Sequence, residues 1–118
     1  MQLIVDGEIV SEDPNAQLVT QEVIENLTNG VEIPVILVDT DVLDNGLTYV
    51  QAVIDEDDVY ILEYQDGSLD RHYFCTSEIS VDDIVHTFVL YLDANPEWKT
   101  GLCWEKLDPD EMIIQSSY

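Results

Sequence analysis

The sequence predicts an α+β fold, an antiparallel β-sheet meander with two helices packed on it, as a single domain over residues 1–118. Three observations carry that reading. The middle of the chain holds short β-rich runs separated by turn residues. Two amphipathic segments with capping residues flank those runs. At 118 residues and 46% hydrophobic content, the chain can build one core without help from disulfides or metals.

Taken in order, "QLIVDGEIV" places Asp6-Gly7 between apolar runs, a short-range hairpin signal that predicts two short strands. Asp13 before Pro14 reads as an N-cap followed by the residue best suited to the first helical position. Val19, Val23, Ile24 and Leu27 then recur at helical spacing and Gly30 supplies a stop, giving a helix over about 14–29. Ile33 to Asp39 is β-branched and apolar, a buried strand with Pro34 confined to its start. After the turn dipeptide Asn45-Gly46, the runs Leu47–Asp55, Val59–Tyr64 and Leu69–Thr76 form a meander, with turns at Asp55–Asp58 and Asp66-Gly67. Alternation puts Tyr60, Leu62 and Tyr64 on one face and Ile61 and Glu63 on the other, and either face can be the core. Ser80 with Asp83 three residues on approximates a capping box, and Val81, Ile84, Val85, Phe88 and Leu92 make one apolar face, so a second helix spans about 80–93. "ANPEWKTG" is a loop, Leu102–Leu107 a strand, and Met112–Gln115 a last short strand.

Charge bounds the function. Twenty-six acids against three bases give a formal charge of -23. Binding nucleic-acid phosphates or anionic lipids needs clustered bases, and Arg71, Lys99 and Lys106 are the whole supply. Such a chain instead attracts a strongly basic protein by long-range steering that weakens with salt. The plainer reading of the same acidity is solubility, or adaptation to salt. The N-terminal stretch has no basic region leading into an apolar one and no run reaches membrane-span length, so the expected location is the cytoplasm. Cys75 and Cys103 read as reduced thiols.

The four successive carboxylates Asp55, Glu56, Asp57 and Asp58 invite a metal, but strand-like neighbours point to opposite faces and cannot all converge on one ion. "DTDVLDNG" begins with the alternation of a calcium loop and then puts Leu43 and Asp44 where a ligand and a glycine belong. His72, His86, Cys75 and Cys103 lack zinc spacing. Cys75 stands three residues from His72, on the opposite face of a strand, which leaves no thiolate–imidazole pair. With no glycine-rich phosphate loop and no nucleophile elbow, the expectation is a protein that is not an enzyme and that holds no metal or cofactor. Trp104 reads as core. Trp98 is either an interface anchor or a cover for the end of the second helix.

"SEISVDDIVHTFVLYLDANPEWKTGLCWEKL" resembles the closing segment of the immunity proteins of bacterial polymorphic toxin systems, in the first-numbered immunity family of that classification. The resemblance rests on Ser80 as the helix cap, Phe88, Tyr91 and Leu92 on the helix, and Trp104 in the strand after the loop. "DPNAQLVTQEVIENL" and "YILEYQDGS" extend it in outline over the front half. The glycine-threonine-glycine character that the family shows before its last strand is reduced here to Thr100-Gly101. The resemblance implies a cytoplasmic immunity protein that neutralises a cognate toxin acting on nucleic acid, a deaminase or nuclease, in a 1:1 complex.

Independently of it, a domain of charge -23 complements a basic nucleic-acid cleft. The residues expected to bind the partner are Asp55, Glu56, Asp57 and Asp58 in the turn, Glu97 and Trp98 in the loop, and Asp108 and Asp110 near the last strands. A DNA-mimic regulator of a host nucleic-acid-binding protein is the alternative with the same electrostatics. An acidic adaptor that self-associates is a third reading.

Overall fold

The computed structural model describes residues 1–43 and 45–107. Its first turn follows from backbone geometry that few residues accept. Asp6 and Gly7 both take positive φ, 52° and 78°, as a type I′ turn requires, and join β1 (Gln2–Val5) to β2 (Glu8–Ser11). The helix that follows, α1 (Ala16–Thr28), starts later than the sequence suggests. Asn15 is its N-cap, with a side chain that accepts from the Leu18 N–H at 2.8 Å. Asp13 does not take that place, because Pro14 is buried outside the helix and the first helical bond runs from the Val19 N–H to the Asn15 carbonyl. Gly30 ends α1 as expected, with a left-handed φ of 78° beyond the C-cap Asn29.

The meander comprises β3 (Val35–Val38), β4 (Thr48–Ile54), β5 (Tyr60–Asp66) and β6 (His72–Cys75). β4 and β5 pair along seven residues, from Thr48 opposite Asp66 to Ile54 opposite Tyr60. The connection after β5 is longer than the tight Asp66-Gly67 turn expected from sequence. Residues 67–71 form it, closed by bonds from the Asp66 N–H to the Arg71 carbonyl and from the Gly67 N–H to the Leu47 carbonyl. Next comes α2 (Val81–Leu92), with the full capping box. The Asp83 N–H donates to Ser80 Oγ at 3.2 Å, and the Ser80 N–H donates to the Asp83 carboxylate at 2.9 Å. A 3-10 turn (Pro96–Lys99) and β7 (Trp104–Lys106) follow. The strand expected at Met112–Gln115 lies outside the described residues.

All seven strands form one antiparallel sheet in the order β2-β1-β3-β4-β5-β6-β7. Both helices pack on the same face. Leu3, Val35, Leu37, Val50, Ala52, Leu62 and Tyr64 from the sheet meet Val19, Val23 and Leu27 of α1 and Ile84, Phe88 and Tyr91 of α2 in one buried cluster. The face that alternation left open is thereby settled, with Leu62 and Tyr64 inward and Ile61 and Glu63 outward. Among the described residues, no helix is long and apolar enough to cross a membrane.

The end of α2 carries a strained position. Ala94 N–H bonds the Tyr91 carbonyl and Asn95 N–H bonds the Leu90 carbonyl, the paired bonds of a Schellman motif, and Ala94 sits at its left-handed place with φ 56°. A β-carbon is disfavoured there. Ala94→Gly is expected to raise stability by about 0.5–1 kcal/mol after the added backbone entropy of glycine is subtracted, read as a higher urea midpoint at unchanged slope.

Candidate partner-binding surface

The strand register that buries one face of the sheet defines the other. Ile4 of β1, Ile36 of β3, Val53 of β4, Ile61 of β5 and Phe74 of β6 all point away from the helices and are half-buried. Ile9 of β2, opposite Ile4, extends this row to the sheet edge and is 56% exposed. Among the described residues, no helix or strand packs over this face. The loop carrying Asn45 and Gly46 borders it and, with Ile4, Ile36, Val38 and Tyr49, walls a groove of about 440 Å³.

A polar network crosses the middle of the apolar face. Gln51 Nε2 donates to Glu63 Oε2 at 2.6 Å, and His72 Nε2 meets the same oxygen at 3.1 Å. His72 Nδ1 lies 2.9 Å from Gln65 Oε1, to which the Tyr49 hydroxyl also donates at 3.2 Å. Burial, then the nearby Glu63 carboxylate, pushes the Tyr49 hydroxyl above its ordinary pKa. Five side chains from three strands thus hold one another in fixed rotamers at the centre of the face. None of them was singled out as a binding residue by sequence reasoning. The available signal was the alternation of Gln51, Glu63, Gln65 and His72 with apolar neighbours, which becomes a cluster only once the register is known.

The acidic turn is built by its own first residue. Asp55 Oδ1 accepts from the Asp57 and Val59 N–H groups, each at 2.9 Å, and Asp58 takes a left-handed φ of 59°. Asp55 therefore shapes the loop while Glu56, Asp57 and Asp58 are exposed. The hairpin turn at Asp6-Gly7 stands at the same end of the sheet, since Val5 pairs Val35 and Val35 pairs Ala52. Trp98 lies at the other end, beside Asp66, across the length of β4, about 20 Å of extended chain, and Glu97 next to it borders Asp83 and His86 of α2. The expected binding residues are thus not one patch. Asp108 and Asp110 lie outside the described residues.

Trp98 covers the end of α2. Its ring packs edge-on to Tyr64, Tyr91 and Trp104 at centroid separations of 4.8, 5.3 and 5.9 Å. Tyr64 in turn stacks on Tyr73 at 4.7 Å and meets Trp104 edge-on at 4.8 Å. Trp104 is half-buried against the core, and its indole N–H donates to the Lys99 carbonyl at 3.0 Å. His72 and Cys75 face opposite sides of β6, His72 in the polar network and Cys75 against the core. Cys75 and Cys103 are both free thiols. Among the described residues, no group of three or more His, Cys, Asp or Glu side chains is placed to hold a metal ion.

Compared with known proteins, the chain matches no family model, no curated protein and no solved structure. The resemblance in the closing segment therefore stands on its own residues.

Proposed function

We propose that this chain is a cytoplasmic immunity protein that binds a cognate basic toxin acting on nucleic acid, a deaminase or nuclease, and blocks its active-site cleft in a 1:1 complex. The observation that carries the reading is the open sheet face, apolar with a pre-ordered polar centre, on a domain of charge -23. The two features divide the work. Carboxylates such as Glu56, Asp57 and Asp58 steer a basic cleft into contact from a distance. Ile36, Val53, Ile61 and Phe74 then exclude water at close range and slow release. Where the toxin would hold phosphates, the rim offers carboxylates of the same sign.

The test is affinity capture from source-cell lysate at low salt, a salt series on elution, and titration of the retained protein's nucleic-acid activity. The expected result is one dominant basic protein held at high salt and inhibited at a 1:1 ratio. A broad set of nucleic-acid-binding proteins released by modest salt, with no stoichiometric inhibition, would replace this reading with that of a DNA mimic.

A further inference from the structure

Beneath Trp98, at the end of the sheet away from the acidic turn, lies a cleft of about 220 Å³ that the open-face reading does not use. Its lining residues combine the aromatic Tyr64, Tyr91 and Trp98 with the acidic Asp39 and Asp66. Ring faces and carboxylates together form an environment suited to an organic cation, which gains from the ring quadrupole and from the negative field at once. One cation is already there. Lys99 Nζ stands 5.0 Å from the Tyr64 ring centroid and 5.1 Å from that of Trp98.

The placement of Lys99 is telling in a chain with three bases and 26 acids. Among the described residues, no carboxylate lies within ion-pair distance of its ammonium, so the ring faces rather than a salt bridge hold it. Its backbone is anchored through the carbonyl that accepts from Trp104, while the side chain is exposed and reaches the rings from outside. An exposed lysine side chain exchanges rotamers quickly and leaves the rings at small cost. The two rings are held in place, Tyr64 by burial in the core cluster and Trp98 by its edge-on packing against Tyr64, Tyr91 and Trp104. The site is rigid and its occupant is mobile.

We propose that this cleft receives a lysine side chain of the basic partner, and that Lys99 is a built-in surrogate which holds the ring faces until that side chain displaces it. This deepens the reading of the chain as a binder of a basic protein and rests on it for the identity of the donor. The incoming ammonium would sit over Tyr64 and Trp98 with Asp39 and Asp66 at its flank. Lys99, released, would turn into solvent. Docking at this end would add a second point of attachment, remote from the acidic turn.

The test uses a small probe, so that it does not depend on the partner. Nα-acetyl-lysine methylamide is titrated into the full chain and followed by amide and indole NMR, with the norleucine analogue as a neutral control. In Lys99→Ala, saturable shifts are expected at the Trp98 indole and at the Tyr64 and Asp66 amides, with affinity about tenfold tighter than in the native chain. Adding Asp66→Asn should return most of that gain. Lys99→Met keeps the aliphatic stem and serves if the alanine variant loses stability. Equal response to norleucine, no saturable response in either Lys99 variant, or shifts spread over Glu56–Asp58 would overturn the proposal. Those outcomes leave the toxin reading to its own inhibition assay, and failure to capture a toxin leaves the probe result intact.

Discussion

Val53→Lys combined with Ile61→Lys is expected to weaken binding of the basic partner by at least about 100-fold, some 3 kcal/mol, while the protein stays folded. The two residues are opposite each other in the β4–β5 register on the face away from the helices, so each lysine ammonium reaches solvent without entering the core. The formal charge moves only from -23 to -21, because two lysines replace two neutral residues. Long-range steering is therefore nearly intact, and the loss falls on close contact, where a partner's bases would meet two new like charges. It should appear mainly in the dissociation rate and persist at high salt. Asp57→Lys with Asp58→Lys makes the contrast. Those residues are exposed in the turn, so their reversal should lower the association rate several-fold at low salt and have little effect once the screening length falls well below 10 Å. Surface plasmon resonance at two ionic strengths separates the variants. Thermal unfolding should place the Val53/Ile61 variant within about 1 kcal/mol of the native chain. Equal affinity for both proteins at high salt would remove the open face from the interface.

What could be read from sequence divides by the range of the interaction. The capping box at Ser80 and Asp83, the Asp6-Gly7 hairpin and the apolar stripe through Ile84 and Phe88 were legible because each is decided within a few residues. The start of α1 was misplaced by the same local logic. Asp13 and Asn15 are both good caps, and the burial of Pro14 ahead of the helix, a tertiary matter, decides between them. The inward face of β5 was not legible, since Tyr60, Leu62 and Tyr64 make as good a core stripe as a solvent-side aromatic row. That choice is made by Trp98, Trp104 and Tyr91, which lie 27 or more residues along the chain and close over Tyr64. The pairing of β1 with β3 and the network through Glu63 and His72 likewise depend on strand order and register, which no local signal contains. The cluster of four acids at Asp55–Asp58 lies in a turn, as the sequence predicts. Its internal division, with Asp55 bonded inward and the next three exposed, required the backbone.

Trp98→Ala is expected to cost about 3 kcal/mol of stability, towards the low end of large aromatic truncations because the ring is only half-buried. The loss follows from position, since one indole touches Tyr64, Tyr91 and Trp104 and ties the 3-10 turn to the end of α2 and the sheet. The same variant has a second readout in Tyr64. Burial first, then the neighbouring Tyr73 and Asp66, pushes the Tyr64 hydroxyl up to about 12. An unfolded tyrosine loses its proton near pH 10, so between about pH 10 and 12 the unfolded chain binds fewer protons than the folded one. Each step up in pH across that window therefore favours unfolding, and below it Tyr64 is protonated in both states and contributes nothing. Urea midpoints of the native protein should fall from pH 10 to pH 12, and Tyr64→Phe should flatten that fall. In Trp98→Ala the ring of Tyr64 meets water, its titration moves down towards 10, and the fall in midpoint shrinks for a different reason. An unchanged alkaline slope in Trp98→Ala would mean that Tyr73 and Trp104 keep Tyr64 dry on their own. In that case the full stability cost of the variant belongs to the contact between the 3-10 turn and Tyr91.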